Sequence, residues 1–229
     1  MSQLALPLRL DDHAVFASFL PTGNETLVGL LASIATEPGG NGCWIWGAQS
    51  VGKTHLLQAV CDRAGDRSVY VPMVALADAG PSLIAGLANR ELVCIDDFDR
   101  IAGDAAWERA MFTLYNDIVT EGGQLVVSAG MTPRECPIQL PDLASRMSQL
   151  PIYSVHALAD VDRAAALQLR ASHRGLELPD ETARYLLSRS RRDMASLYSL
   201  LDTLDQEALR AQRRLTVPFV REVLKSASG

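Results

Sequence analysis

The sequence predicts an α/β protein: a parallel sheet flanked by helices, followed by a small C-terminal all-α domain. Three observations carry this expectation. Gly47-Ala48-Gln49-Ser50-Val51-Gly52-Lys53-Thr54 fits the G-x-x-x-x-G-K-[ST] phosphate-binding pattern at every fixed position. Short apolar runs alternate with helix-spaced stretches as far as residue 153, the pattern of strands joined by crossover helices. From residue 158 onward the spacing is wholly helical.

The elements follow in order. Residues 1–12 carry Gln3-Leu4-Ala5-Leu6-Pro7-Leu8 and then Asp11-Asp12. They form either a disordered tail or edge strand, or a peptide that docks in a partner's groove. Thr22-Gly23-Asn24 signals a turn and a helix start, and Leu27, Leu30, Leu31 and Ile34 share one face of the helix that follows. The apolar run Gly42-Cys43-Trp44-Ile45-Trp46 reads as a buried strand entering the phosphate loop. The stretch after the loop is a helix with Leu56, Leu57 and Val60 inward. Gly47 and Gly52 let the backbone curl so that amide hydrogens face phosphate oxygens, and the helix N-terminus adds partial positive charge. In such a loop Lys53 reaches the β- and γ-phosphates and Thr54 holds Mg²⁺.

Residues 68–72 read as a second strand, and residues 75–90 hold one helix near 81–88. Leu92-Val93-Cys94-Ile95 then leads into Asp96-Asp97. Carboxylates at the C-terminal end of a strand lie where an open α/β sheet places its ligand. There Asp96 binds Mg²⁺, directly or through water, and Asp97 orients a water molecule. The alternative is a pair of helix-capping aspartates. Asp104 caps the next helix, along which Trp107, Met111, Leu114 and Ile118 recur at helical spacing until Gly122-Gly123. Residues 124–129 form another buried strand that ends near the polar Ser128. A long loop then leads to a short helix over 142–147, and Pro151-Ile152-Tyr153 is the last strand. In the helical region Val161, Ala165 and Leu169 share one face, and Pro179-Asp180 starts a second helix. Asp193 caps a third helix with a stripe of Met194, Leu197, Leu201, Leu204 and Ala208, and Thr216 begins a fourth. The resulting division is a peptide over 1–12, an α/β nucleotide domain over 13–156 and a helical lid over 157–226.

Composition bounds the function. The 229 residues are 48% hydrophobic, with no apolar run near the roughly 20 residues of a membrane span and no basic-then-apolar leader pattern. A formal net charge of −6 argues against tight DNA backbone binding by the chain itself. Cys43, Cys61, Cys94 and Cys136 show no C-x-x-C spacing and read as reduced core residues of a cytoplasmic protein.

The phosphate loop, the strand ending in Asp-Asp, the later polar-ended strand, the Ser145-Arg146 pair and the helical lid together resemble an AAA+ ATPase. More narrowly, Gly52-Lys53-Thr54-His55-Leu56-Leu57 and Ile95-Asp96-Asp97-Phe98 resemble the DnaA family. Leu140-Pro141-Asp142-Leu143-Ala144-Ser145-Arg146 and the stretch from Ala211 to Val220 resemble the DnaA-related regulators that inactivate the initiator. The resemblance implies several roles. Gly47 to Thr54, with His55 and Ser128, bind ADP or ATP with Mg²⁺; Phe19, Leu20, Pro21 and Asn24 line the adenine pocket. Asp96 and Thr54 hold the metal, and Asp97 acts at the water. Arg146 is an arginine finger offered in trans, as opposed to a surface salt bridge. Gln3, Leu4, Leu6, Pro7 and Leu8 bind the DNA polymerase III sliding clamp, so that DNA is reached only through the clamp. The implied partner is the DnaA initiator, with a homodimer or higher oligomer left open.

The chain also departs from that pattern. The polar residue that initiators place after the sensing strand falls at Gly130, and the lid arginine falls at Ala195, with Arg191 and Arg192 one turn earlier. The family's catalytic Glu is Asp97, one methylene shorter. Weak hydrolysis by the chain alone is the expectation. The sequence ends with its lid and has only about 20 residues between the second and third strands, which argues against an origin-binding initiator. A loader or remodelling ATPase acting on its own ATP, and an adaptor without catalytic effect, remain alternatives.

Overall fold

The computed structural model describes residues 14–37, 39–189 and 194–226. The chain divides into two units. The first holds 24–156 with the residues before 17; the second holds 17–23 with everything from 157 onward. Phe19, Leu20 and Pro21 thus belong with the helical unit, although the sequence places them in the α/β domain. The six-residue peptide from Gln3 to Leu8 lies outside the described residues, as do Arg191, Arg192 and Asp193.

The first unit is built on five parallel strands: β1 (Gly42–Trp46), β2 (Ser68–Pro72), β3 (Leu92–Asp96), β4 (Gln124–Ala129) and β5 (Ile152–Ser154), in the order β2-β3-β4-β1-β5. β3 and β4 are buried along their whole length, as expected of central strands covered on both faces. Helices α1 (Glu25–Thr36) and α2 (Lys53–Ala64) pack on each other, with Leu27, Leu31, Leu56, Leu57 and Val60 buried. On α4 (Ala105–Thr120) the expected stripe of Trp107, Met111, Leu114 and Ile118 is buried, and Asp104 caps the helix by accepting from the amides of Ala106 (2.8 Å) and Trp107 (3.0 Å). α5 (Pro141–Gln149) turns Leu143 and Met147 into the same core.

The stretch between β2 and β3 corrects the helix expected near 81–88. It holds only the one-turn α3 (Met73–Leu76) and separate 3₁₀ turns at Ala77–Ala79, Pro81–Ile84 and Leu87–Asn89. Gly80 (φ 92°) and Gly86 (φ 81°) carry positive φ there and break any continuous helix.

The second unit contains α6 (Arg163–His173), α7 (Asp180–Arg189), α8 (Met194–Ala211) and α9 (Val217–Ser226). Leu197, Leu201, Leu204 and Ala208 of α8 are buried with Leu186, Phe219 and Val220. The face expected for α6 is out of phase. Val161 precedes the helix and is 85% exposed, whereas Ala166, Leu167, Arg170 and Ala171 point inward. The run Ala164-Ala165-Ala166 offers too little contrast to fix the phase from sequence. No helix among the described residues is long and apolar enough to cross a membrane.

Candidate nucleotide site

The sheet order brings the predicted residues together. β1, β4 and β3 lie side by side, so the loop after β1 and the carboxylates ending β3 emerge from the same sheet edge on either side of β4. Gly47 is required by close approach. A Cβ there would lie 2.7 Å from the carbonyl oxygen of Val155, where the chain leaves β5. The Gly47 amide donates to the carbonyl of Ala129 (3.3 Å), tying the loop to β4. Ser50 takes a positive φ of 64° and Gly52 one of 106° before α2 starts at Lys53. Lys53 is 8% exposed and its Nζ donates to the carbonyls of Gly47 (2.8 Å) and Ala48 (2.9 Å). The ammonium is therefore stationed over the loop, and Thr54 beside it is exposed. His55 donates from Nε2 to the carbonyl of Val15 (2.9 Å), joining the segment before α1 to the start of α2. Asn24 closes a second tie. Its Nδ2 donates to the carbonyl of His156 (3.0 Å) and its Oδ1 accepts from the His156 amide (2.8 Å).

Asp96 is 1% exposed, and both its oxygens are engaged. Tyr70 Oη donates to Oδ2 at 2.7 Å, and Ser128 Oγ donates to Oδ1. Ser128, fully buried, also accepts from the Asp97 amide (3.0 Å). The Ser128 hydroxyl is thus committed to the two aspartates. Burial and the Asp96 charge push the Tyr70 phenol well above its usual range, which keeps it a donor. Sequence reasoning missed Tyr70: a tyrosine inside a strand reads only as a strand former.

Asp97 adopts a left-handed conformation, φ 55°. Its carboxyl is pushed above the usual value by burial, then by Asp96 and Asp99, while Lys53 and Arg100 oppose the shift. A carboxyl whose folded-state pKa exceeds its unfolded value binds more protons when folded, so its contribution to stability falls as pH rises through that window. Asp97→Asn removes the charge and suits the left-handed backbone. It is expected to raise the urea midpoint at pH 7 and to lose most of that advantage near pH 3, measured by urea titration at both pH values. At Gly130 the backbone amide donates to Asp99 Oδ1 (3.0 Å), so Asp99 fixes the backbone just beyond β4.

Arg146 stands exposed in the last turn of α5, its guanidinium carbon 5.8 Å from the centroid of the Tyr115 ring. Among the described residues it forms no ion pair.

A parallel β2-β3-β4-β1-β5 sheet with a phosphate loop after β1 and paired aspartates after β3, followed in the chain by a helical unit, is the fold seen in AAA+ P-loop proteins. Residues 160–224 match the family model described as the lid domain of Hda. The fold is similar to domain III of the Thermotoga maritima replication initiation protein DnaA, with a TM-score of 0.77 at 19% identity over 95% of this chain and 98% of that one. It is also similar to an AMPPCP-bound DnaA from Aquifex aeolicus (TM-score 0.61, 19% identity, 86% and 66% covered). RuvB from Thermotoga maritima shares the fold as well (TM-score 0.66, 16% identity, 91% and 70% covered). The comparisons thus show an Hda lid match over residues 160–224 and, over the chain as a whole, the fold of DnaA domain III.

Proposed function

We propose that this chain is a negative regulator of DNA replication initiation. It binds an adenine nucleotide with Mg²⁺, docks on the DNA-loaded sliding clamp through Gln3 to Leu8, and stimulates ATP hydrolysis by DnaA by supplying Arg146 in trans. The observation that carries the reading is Arg146 itself: an exposed guanidinium held over an aromatic ring with no carboxylate partner among the described residues. Such a cation is free to meet the charge that develops on a transferring phosphoryl group.

The chain's own nucleotide is held by its own residues. Lys53, whose Nζ donates to the Gly47 and Ala48 carbonyls, would instead meet phosphate oxygens when a nucleotide is bound, and the N-terminus of α2 would favour the same anion. The Thr54 hydroxyl and the Asp96 carboxylate are oxygen donors of the kind Mg²⁺ takes. A metal held there would supply charge neutralisation to the phosphates. The AMPPCP carried by a DnaA of the same fold supports an adenine nucleotide here. Asp97, short by one methylene, and Gly130, without a side chain, favour a bound nucleotide that is turned over slowly.

ATP turnover is measured for the chain alone and then with clamp, DNA and initiator. Turnover that appears only in the mixture supports the regulator. Substantial turnover alone supports a motor whose Arg146 serves a sister subunit, and none in either supports an adaptor. Replacing both Gln3 and Leu6 by Ala is expected to abolish retention on immobilised clamp while ADP binding, followed by calorimetry, is unchanged.

A further inference from the structure

Glu108 lies in the first turn of α4 and is 2% exposed. Its carboxylate accepts from the Gly103 amide (2.7 Å), the Gln139 amide (3.0 and 3.1 Å to its two oxygens) and the Leu140 amide (2.7 Å). Among the described residues no cation pairs with it, so its buried charge is balanced by backbone N–H groups alone. Charge-assisted bonds of this kind are strong, and a buried carboxylate without them is heavily penalised. The amides that satisfy it are not arbitrary: Leu140 is the residue that caps α5. Glu108 therefore fixes the point at which the Arg146 helix begins.

Tyr115 follows Glu108 by two helical turns on the same face of α4. It is 5% exposed, and its ring lies under the Arg146 guanidinium. Between these points Leu143 and Met147 are fully buried. α5 is thus held at its start by a carboxylate, along its underside by two apolar side chains, and at its charged end by a ring.

We propose that Glu108 and Tyr115 are positioning residues that set the place and direction of Arg146, an assignment that rests on the finger role given to Arg146 above. In Glu108→Gln the shape is kept, but one oxygen becomes an NH₂ group facing backbone N–H donors, and the start of α5 is released. A displacement of about 1 Å at a catalytic group costs about 10²-fold. Tyr115→Leu removes the ring under the guanidinium; Tyr115→Phe keeps it.

The test is ATP hydrolysis by the initiator on clamp-loaded DNA, with the full chain and a titration of each variant, alongside ADP binding. Glu108→Gln is expected to lower maximal stimulated turnover by about 10–100-fold. The concentration for half-maximal stimulation and the ADP affinity stay the same, a split that general loss of structure would not give. Tyr115→Leu falls by about 2–5-fold and Tyr115→Phe matches the parent. If Arg146→Ala leaves stimulation intact, the finger reading fails. If Arg146→Ala abolishes it while Glu108→Gln stimulates normally, the positioning proposal alone fails. Should Glu108→Gln lose ADP binding through misfolding, the tyrosine pair decides, and equal activity of the Leu and Phe variants overturns the proposal.

Discussion

Replacing Arg146 by Ala is expected to lower the stimulated hydrolysis of DnaA-bound ATP by about 10³–10⁵-fold, the range an arginine finger supplied in trans commands. That corresponds to about 4–7 kcal/mol of barrier. The same change touches the fold little. Arg146 is exposed, and its contact with the Tyr115 ring is worth about 0.5–1 kcal/mol at such a site. Catalytic effect and stability are therefore well separated, which few single substitutions achieve. Arg146→Lys restores the charge without the planar fork of donors, so it recovers only part of the rate. The measurement is single-turnover decay of initiator-bound ATP on clamp-loaded DNA, with urea unfolding of each variant in parallel. Normal decay with the Ala variant would remove the finger from the proposal, whatever the clamp-binding result.

The parts of this site that sequence reveals are those set by local backbone chemistry. The loop from Gly47 to Thr54 needs glycine where a carbonyl crosses it and lysine where the helix begins, so its spacing is a direct record of geometry. Asp96 at a strand end, the Asp104 cap and the α4 stripe are legible for the same reason. The parts that stay hidden are pairings between distant elements. Tyr70 reaches Asp96 from the neighbouring strand, a partner 26 residues away. Glu108 bonds amides 31 and 32 residues ahead, yet in sequence it is only an acid near a helix N-terminus. Ser128 is conspicuous as a polar residue in an apolar strand, but not as the donor that loads Asp96. The errors over 81–88 and on α6 arise where Ala, Gly and Leu crowd together and period carries little contrast.

Gly42→Ala is expected to be the most destabilising of the substitutions considered. Gly42 opens β1 opposite Leu125 of β4 with φ +82°. A Cβ at this position would sit inside the Leu125 carbonyl group, 2.5 Å from its carbon and 2.8 Å from its nitrogen. The obstruction is backbone in a buried strand, so no side chain can swing aside. The strained φ costs about 1–3 kcal/mol and the forced displacement about 1–3 kcal/mol more. Together these are a large share of the roughly 5–15 kcal/mol that holds a domain folded. The damage is aimed at the site. β1 continues through the pairs Ile45 with Ser128 and Trp46 with Ala129 into the phosphate loop, so a shift at its first residue moves both the loop and the serine that serves Asp96. Gly40→Ala is the matched control. Gly40 also has a positive φ, 89°, but its Cβ would meet nothing nearer than Gln124 Nε2 at 3.7 Å. It therefore bears only the backbone strain. Urea midpoints of the two variants, with and without ADP, separate strain from overlap. Saturating ADP should recover part of the lost stability in both, because a ligand bound only by the native state stabilises it by mass action. Equal midpoints for the two variants would mean that β1 can move off Leu125 at no cost, and the rigid register that aligns loop, serine and aspartate would have to be abandoned.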